Sequence, residues 1–352
     1  MVRIYVCTHK EYEFPKDPIY VPIQVGSAIN PDLGYLPDNK GDNISARNPY
    51  YSELTGMYWA WKNDHDSDIK GLCHYRRYLM NDDDLLWSEN DLSEVLLGSN
   101  EIDLITTKLI RLNYPYYDAF SVDHNKADLD ALSEVLKQKY PEDHEEYERV
   151  VHDCRTYFGN MIICRSELFD AYSEWLFDIL FEVEKRIDPS GYNGYAKRVY
   201  GFLSELLLLV YIRTRHLKVK ECQVAMMGEK KETAEMKQRV SEFFCDKDVD
   251  GAKKYFLECL EKKPDVLMEA SDIYGELKLC MQMISTAEYE IKATGNSFLG
   301  KNNNLDELIP VFRELNNIMQ RRHSGISDKA DEDYLAHHNF SDIAIDIAGR
   351  LV

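Results

Sequence analysis

The sequence predicts an α/β protein: a mostly parallel sheet flanked by helices over residues 1–228, followed by an all-helical appendage over 229–352. Three observations carry this. Short apolar runs bounded by Gly, Pro, Asn and Asp alternate with helical periodicities as far as residue 225. Beyond Gly228 a charged run opens a stretch in which apolar residues recur only at helical spacing. A chain of 352 residues, 44% hydrophobic, suits one large domain with an appendage, or two domains.

The elements follow in order. Residues 2–8 read as a buried strand that ends at Thr8-His9-Lys10. A polar segment to residue 48 holds a short strand at 23–26 and a loop at 38–43. Asn48-Pro49 starts a helix, with Asn as cap and Pro in the first turn. Leu54, Met57, Tyr58 and Trp61 continue its period to about Lys62. The acidic stretch 64–68 breaks it before a strand at 69–73. A short helix at 91–97 takes Glu94 as capping-box partner. A strand at 102–107, a Tyr-rich irregular stretch at 111–124, helices at 128–138 and 142–153, and a strand at 158–164 come next. Leu168, Phe169, Tyr172, Trp175, Leu176, Ile179 and Leu180 mark a long amphipathic helix. Residues 201–211 are almost all apolar, so a buried helix, and 217–224 form a last strand. The appendage carries helices at 234–245, 249–262, 265–292 and 305–322, a polar stretch at 323–340 and a short helix at 341–352. Residues 249–262 and 265–280 pair as one hairpin, without a repeat at fixed period.

Composition narrows the function. Sixty-two acids against 42 bases give a net charge of -20, which argues against a general nucleic-acid binder. The eight cysteines stand singly, without C-x-x-C, so neither a zinc site nor a disulfide framework is expected. That usage suits a reduced, cytoplasmic setting. The first residues carry no signal-peptide pattern. The longest apolar run, 206–212, is far shorter than the roughly 20 residues of a membrane span. Glycine-rich phosphate loops, H-E-x-x-H and G-x-S-x-G are absent.

The stretch from Gly71 to Leu79 is the strongest candidate for chemistry. It begins as a buried strand and ends in His74-Tyr75-Arg76-Arg77. Such groups are costly to bury unpaired, and the carboxyl ends of parallel strands are where ligands gather. Two adjacent arginines suit an oxyanion, or else form surface ion pairs with nearby acids. Thr8, His9 and Lys10 end a strand on the same side of the sheet. Asp82 and Asp84 could hold Mg²⁺ or Mn²⁺ on a diphosphate, or form an acidic surface turn. Glu205, at the mouth of the apolar helix, is either a cap partner or a functional acid or base. Glu53 is by default solvated. Tyr50 is core or rim, though aromatic faces also stack on sugar rings. His124, in the Tyr-rich stretch, is either a pocket group or structural.

Three segments together are specific: Asn43-Ile44-Ser45 with Asn48 to Trp59, then Gly71 to Tyr78 with its His-Tyr-Arg-Arg, then Phe202-Leu203-Ser204-Glu205. In this order they resemble a bacterial family long labelled only as a domain of unknown function. Its members sit among capsular and exopolysaccharide biosynthesis proteins and look like glycosyltransferases. The resemblance covers about residues 1–225. It implies a glycosyltransferase-A-like fold and the transfer of a hexosyl unit, galactosyl or galactofuranosyl, from a UDP-sugar to a glycan or lipid-linked oligosaccharide. Thr8, His9, Lys10, Asn43, Ser45, Tyr50, Glu53 and Tyr75 would then line the nucleotide-sugar site, and Tyr116, Tyr117 and His124 the acceptor side. Arg76, Arg77 and His74 would stabilise the departing diphosphate, and Glu205 would take the acceptor's proton if the reaction inverts. The segment His74 to Arg77 stands where enzymes of that fold usually carry Asp-x-Asp and holds no acids, so no cofactor is required by the sequence and Mg²⁺ or Mn²⁺ rests only on Asp82 and Asp84. The appendage offers a surface for a homodimer or for docking at the inner face of a membrane. The competing reading is a non-catalytic nucleotide-sugar or glycan-binding module with a helical assembly tail.

Overall fold

A computed structural model of the chain describes residues 1–98, 101–122, 124–267 and 271–351. They form two compact units, Met1–Met227 and Gly228–Val352.

The first unit is built on a mixed sheet. Its strands are β1 (Val2–Thr8), β2 (Tyr20–Gln24), β3 (Leu36–Pro37), β4 (Ile69–His74), β5 (Arg77–Leu79), β6 (Leu104–Thr107), β7 (Ile110–Arg111), β8 (Arg155–Thr156), β9 (Ile162–Arg165), β10 (Val219–Cys222) and β11 (Val224–Met226). The main path runs β10-β6-β9-β4-β1-β2-β3, and β7 pairs with β8 apart from it. Along this path only β9 runs against its neighbours. The carboxyl ends of β1, β4, β6 and β10 therefore share one edge with the amino end of β9. That reversal brings the loop before β9 to the edge where ligands of parallel sheets collect.

Side-chain alternation assigns the faces. Tyr5, Cys7, Leu72, Leu104, Ile162 and Cys164 point into one core, and Ile4, Val6, Cys73, Ile105 and Ile163 into another. The first core is closed by α1 (Asn48–Tyr51), α2 (Leu54–Asn63), α5 (Lys126–Lys139), α6 (Pro141–Val151), α7 (Ser166–Glu184) and α8 (Val199–Thr214). The shorter α3 (Glu89–Ser93) and α4 (Tyr116–Phe120) complete the unit. Gly56 lets α2 lie close on β1: a Cβ there would come within 2.8 Å of Cys7 Sγ.

Several elements differ from expectation, each for a local reason. The helix expected from 48 to 62 is two helices, because Ser52 adopts φ 50°, ψ −127°. The capping box near 91 is made by Ser88 and Asp91, with Glu94 already in the next turn. The strand expected at 158–164 starts only at Ile162, after Gly159 (φ 93°) and Asn160 (φ 50°). The last strand divides at Gln223, beyond which β11 pairs with β5. Residues 116–120 of the Tyr-rich stretch are helical.

The second unit is helical: α9 (Lys231–Cys245), α10 (Val249–Lys262), α11 (Glu276–Thr294), α12 (Leu305–His323), α13 (Lys329–His338) and α14 (Asp342–Arg350). Its core is Met236, Val240, Phe244, Ala252, Phe256, Leu277, Met283, Phe312 and Leu315 with their neighbours. The helix expected at 265–292 is shorter at its start, since Gly275 takes φ 65° before Glu276; residues 268–270 lie outside the described residues. The polar stretch 323–340 contains α13, started by an Asp328–Asp331 capping box. Among the described residues no helix is long and apolar enough to cross a membrane.

Candidate active site

The site forms where β4 turns into β5. His74 and Arg77 are cross-strand partners of a hairpin whose two turn residues are Tyr75 and Arg76. The geometry separates the two arginines. Arg76 is 6% exposed, its Nε donates to Met227 O at 3.2 Å, and its own carbonyl accepts from Met227 N at 2.9 Å. Arg77 instead lies beside Gly159: its guanidinium nitrogen would be 3.7 Å from a Cβ at that glycine. The two arginines thus stand in different surroundings, as adjacent residues at a hairpin turn do.

The gathering element is the left-handed pair Gly159-Asn160. Gly159 N donates to Glu205 Oε1 at 2.7 Å. Gly159 O lies 2.5 Å from His74 Nε2. A carbonyl only accepts, so Nε2 carries the hydrogen and Nδ1 is left as an acceptor. Asn160 is 6% exposed, and both ends of its amide are engaged. Nδ2 donates to Glu53 Oε1 at 2.6 Å and to Gly201 O at 3.0 Å, while Oδ1 accepts from Ser204 Oγ at 2.8 Å. One turn thus draws together Glu53 from the start of α2, His74 from β4 and Glu205 from α8. The break at Ser52 aims Glu53 inward, and it is held by Asn48 Nδ2 donating to Ser52 O at 2.8 Å.

Burial sets the electrostatics. Desolvation pushes the Glu205 carboxyl up to about 8; the Gly159 N–H pulls the other way, Glu53 adds to the rise, and Arg77 and Arg198 oppose it. Desolvation lowers His74 below the ordinary imidazole range, Glu53 and the Gly159 carbonyl oppose that, and Arg77 reinforces it. His74 is then a neutral imidazole at pH 7, and the positive charge of this group belongs to Arg77. Glu205 is not a cap of its own helix, as one reading of the sequence had it: it lies beyond the first turn of α8 and bonds a different element.

The other candidates divide by location. Thr8 is fully buried, and its Oγ1 donates to Lys10 O at 2.6 Å, shaping the turn after β1. The His9 and Tyr75 rings meet edge to face at 5.5 Å, and Tyr12 meets Tyr75 at 5.1 Å, so this exit carries an aromatic wall. Asn43 and Ser45 brace a loop. Asn43 donates to Asn39 and Gly41 carbonyls, and Ser45 Oγ bonds Asp38, which also holds the Gly26 and Ser27 N–H groups. Tyr50 packs half-buried against the core. Tyr116 is buried, with its OH 3.3 Å from Phe202 O and near enough to Glu205 to feel its charge. Tyr117 turns to Asp130 at 3.0 Å and Lys126. His124 packs against Phe120, Tyr195 and Phe202. Asp82 pairs with Lys220 at 2.7 Å, and Asp84 sits at φ 57° in the exposed turn that Asn81 organises. Among the described residues no group of three or more His, Cys, Asp or Glu is placed to hold a metal ion. His74 at the end of β4 and Arg77 at the start of β5 supply no carboxylate at that position.

Sequence reasoning missed Gly159 and Asn160. A Gly-Asn pair inside a strand pattern is itself a signal of a bulge or turn, and it was available at that position.

The sheet order, the reversed β9 and the site at the shared edge define a glycosyltransferase-A-like α/β fold. The family described as Domain of unknown function (DUF4422) matches residues 3–216, and the chain belongs to it. The chain is similar to the apo structure of WbbM, a bifunctional glycosyltransferase, with 30% identity and a TM-score of 0.60. That likeness covers 65% of this chain and 45% of the other, so this chain matches less than half of WbbM's length. No curated protein matches.

Proposed function

We propose that the unit 1–227 is a glycosyltransferase that moves a sugar from a nucleotide-sugar donor to a hydroxyl acceptor. The observation that carries this is the convergence of Glu53, His74, Arg77 and Glu205 on the Gly159-Asn160 turn, at the ligand edge of a sheet like that of WbbM. In the reaction the bond from the anomeric carbon to the donor phosphate breaks, and the diphosphate leaves with the electron pair. The acceptor oxygen bonds the anomeric carbon, and its proton passes to a carboxylate. Arg77 meets the charge that grows on the diphosphate, a role suited to a guanidinium in a partly dry site. Glu205, with a pKa of about 8, is poised for proton transfer near neutrality. Neutral His74 holds the Gly159 carbonyl and so the turn. The donor we propose is a UDP-hexose, galactosyl or galactofuranosyl, and the acceptor a growing, lipid-linked surface glycan; the family resemblance supports both. The His9-Tyr75-Tyr12 wall suits the base. Residues 228–352 form the appended unit of this enzyme.

Incubating the protein with a panel of UDP-sugars, with and without alkyl glycosides, tests the reading by UDP release and mass of the product. Acceptor-dependent release from one donor is expected. Tight binding of a UDP-sugar without turnover under any acceptor would instead make this a binding module. If Glu205 is the base, kcat/KM rises with pH up to about 8 and then levels.

A further inference from the structure

A second constellation lies along α8, outward from Glu205. Arg198, Phe202 and Glu205 stand at i, i+4 and i+7, so they share one stripe of the helix and its entry turn. The Arg198 guanidinium carbon lies 4.7 Å from the Tyr195 ring centroid and 5.3 Å from that of Phe202. The two rings are 5.0 Å apart. His124 closes one side, 4.3 Å from Phe202, and burial pushes it down to about 4, with the Arg198 charge adding to the shift. It is thus neutral at pH 7, yet its Nδ1 is buried without a hydrogen-bond partner among the described residues.

Two features point to a ligand. In a chain with 62 acids, Arg198 has no carboxylate within ion-pair distance among the described residues. Its charge is felt by Glu205 as well as His124, so the stripe is continuous with the candidate active site. The rings are partly buried and keep some exposed apolar edge for the CH side of a sugar, and a guanidinium stacked on them keeps its N–H edge for an oxyanion.

We propose that Tyr195, Arg198 and Phe202 form an acceptor platform for a saccharide that carries an anionic group, carboxylate or phosphate, next to the ring stacked on the aromatic pair. This deepens the glycosyltransferase reading and rests on it for the word acceptor. The sugar ring would lie on Phe202 and Tyr195, its oxyanion on Arg198, and its reacting hydroxyl toward Glu205.

Calorimetry on the full chain tests this without turnover. The probes are octyl galactoside, octyl glucuronoside and a galactose carried on an octyl diphosphate. The wild type is expected to bind at least one charged probe about tenfold more tightly than the neutral one, because charge-assisted contacts to guanidinium add to stacking. Which charged probe wins distinguishes a uronate from a lipid diphosphate. Arg198→Gln should erase the preference, Arg198→Lys should keep part of it, and Phe202→Ala should weaken all three probes. A thermal melt of each variant separates lost binding from lost folding. The proposal is overturned if the wild type shows no charge preference, or if the preference survives in Arg198→Gln. UDP release is read separately: an Arg198-dependent preference in a protein that never releases UDP would keep the site and remove the transferase.

Discussion

Charge is handled in opposite ways in the two units. In 228–352 the ionic groups are matched: Arg321 reaches both Glu314 and the buried Asp331, and Lys253 and Lys292 share Glu288. Bonding to Arg321 lowers Asp331 to about 2. At the edge of the sheet in 1–227 the reverse holds. Glu205 is driven up to about 8, and His74 is held neutral, both first by burial. Positive φ occurs at Asn160 and Ser52 here, as it does at Lys247 and Asn339 in the second unit, but here it flanks the candidate site. Matched charge lends modest stability, whereas desolvated titratable groups and backbone at positive φ cost stability and are common at functional sites.

The contrast can be broken most sharply at Glu205. Glu205→Gln should lower transfer by about 10³-fold, within the usual range for loss of a general base or acid. The same change should stabilise the fold at high pH. Between 4.5 and about 8 the folded protein keeps a proton on Glu205 that the unfolded chain has released, so the wild type loses stability as pH rises through that window. Glutamine does not titrate, so its Tm advantage should open from about pH 5, reach roughly 2–6 °C near pH 8 and then stay level. A Tm gap that is the same at pH 5 and pH 9 would show that Glu205 titrates normally.

Arg77→Ala comes next, with an expected loss of about 10²–10³-fold in kcat, the scale of one lost transition-state donor. Arg77→Lys should recover only part, since a point charge replaces a fork. Full activity in Arg77→Ala would hand the diphosphate to another cation. Asn160→Ala should act on both sides of the contrast. It leaves the Glu53 carboxylate short of a partner while Ser204 Oγ keeps Gly201 O, for about 1–3 kcal/mol of stability, measured by urea unfolding. By loosening Glu53 it should also lower kcat about 10²-fold, with donor binding retained. If only stability falls, Glu53 has no part in the reaction.

The smallest effect belongs to the helical unit. Arg321→Ala should leave UDP release unchanged and lower the Tm slightly at pH 7. That decrement should shrink as pH falls from 3.8 toward about 2, where Asp331 takes up its proton and the ion pair is lost in the wild type as well. Activity loss in this variant would tie the second unit to catalysis.

Much of the frame was legible in the sequence. The strand 2–8 and the strand at 69–73 declare themselves by apolar runs, and α7 by its period, because burial on one or both faces imposes those patterns. The approach of His74 and Glu205 to one point was not legible, since 131 residues separate them and no local pattern encodes their contact. Arg76 and Arg77 look equivalent in sequence, and only the hairpin turn sends one to the Met227 carbonyl and the other to Gly159. Asn43 and Ser45, read as ligand contacts, are bound to their own loop, which short polar side chains do as readily in a turn as in a site.

By itself the sequence determined the α/β class, the helical character beyond Gly228 and the residue types available for chemistry, because these follow from local periodicity and composition. Only the tertiary structure decided that β9 runs against the sheet and that its entry turn is left-handed at Gly159 and Asn160. Those two facts bring Glu53, His74, Arg77 and Glu205 to one edge, and the burial that results sets their protonation. Both depend on pairing between distant segments, where the free energy lies in packing and desolvation rather than in any stretch of neighbouring residues.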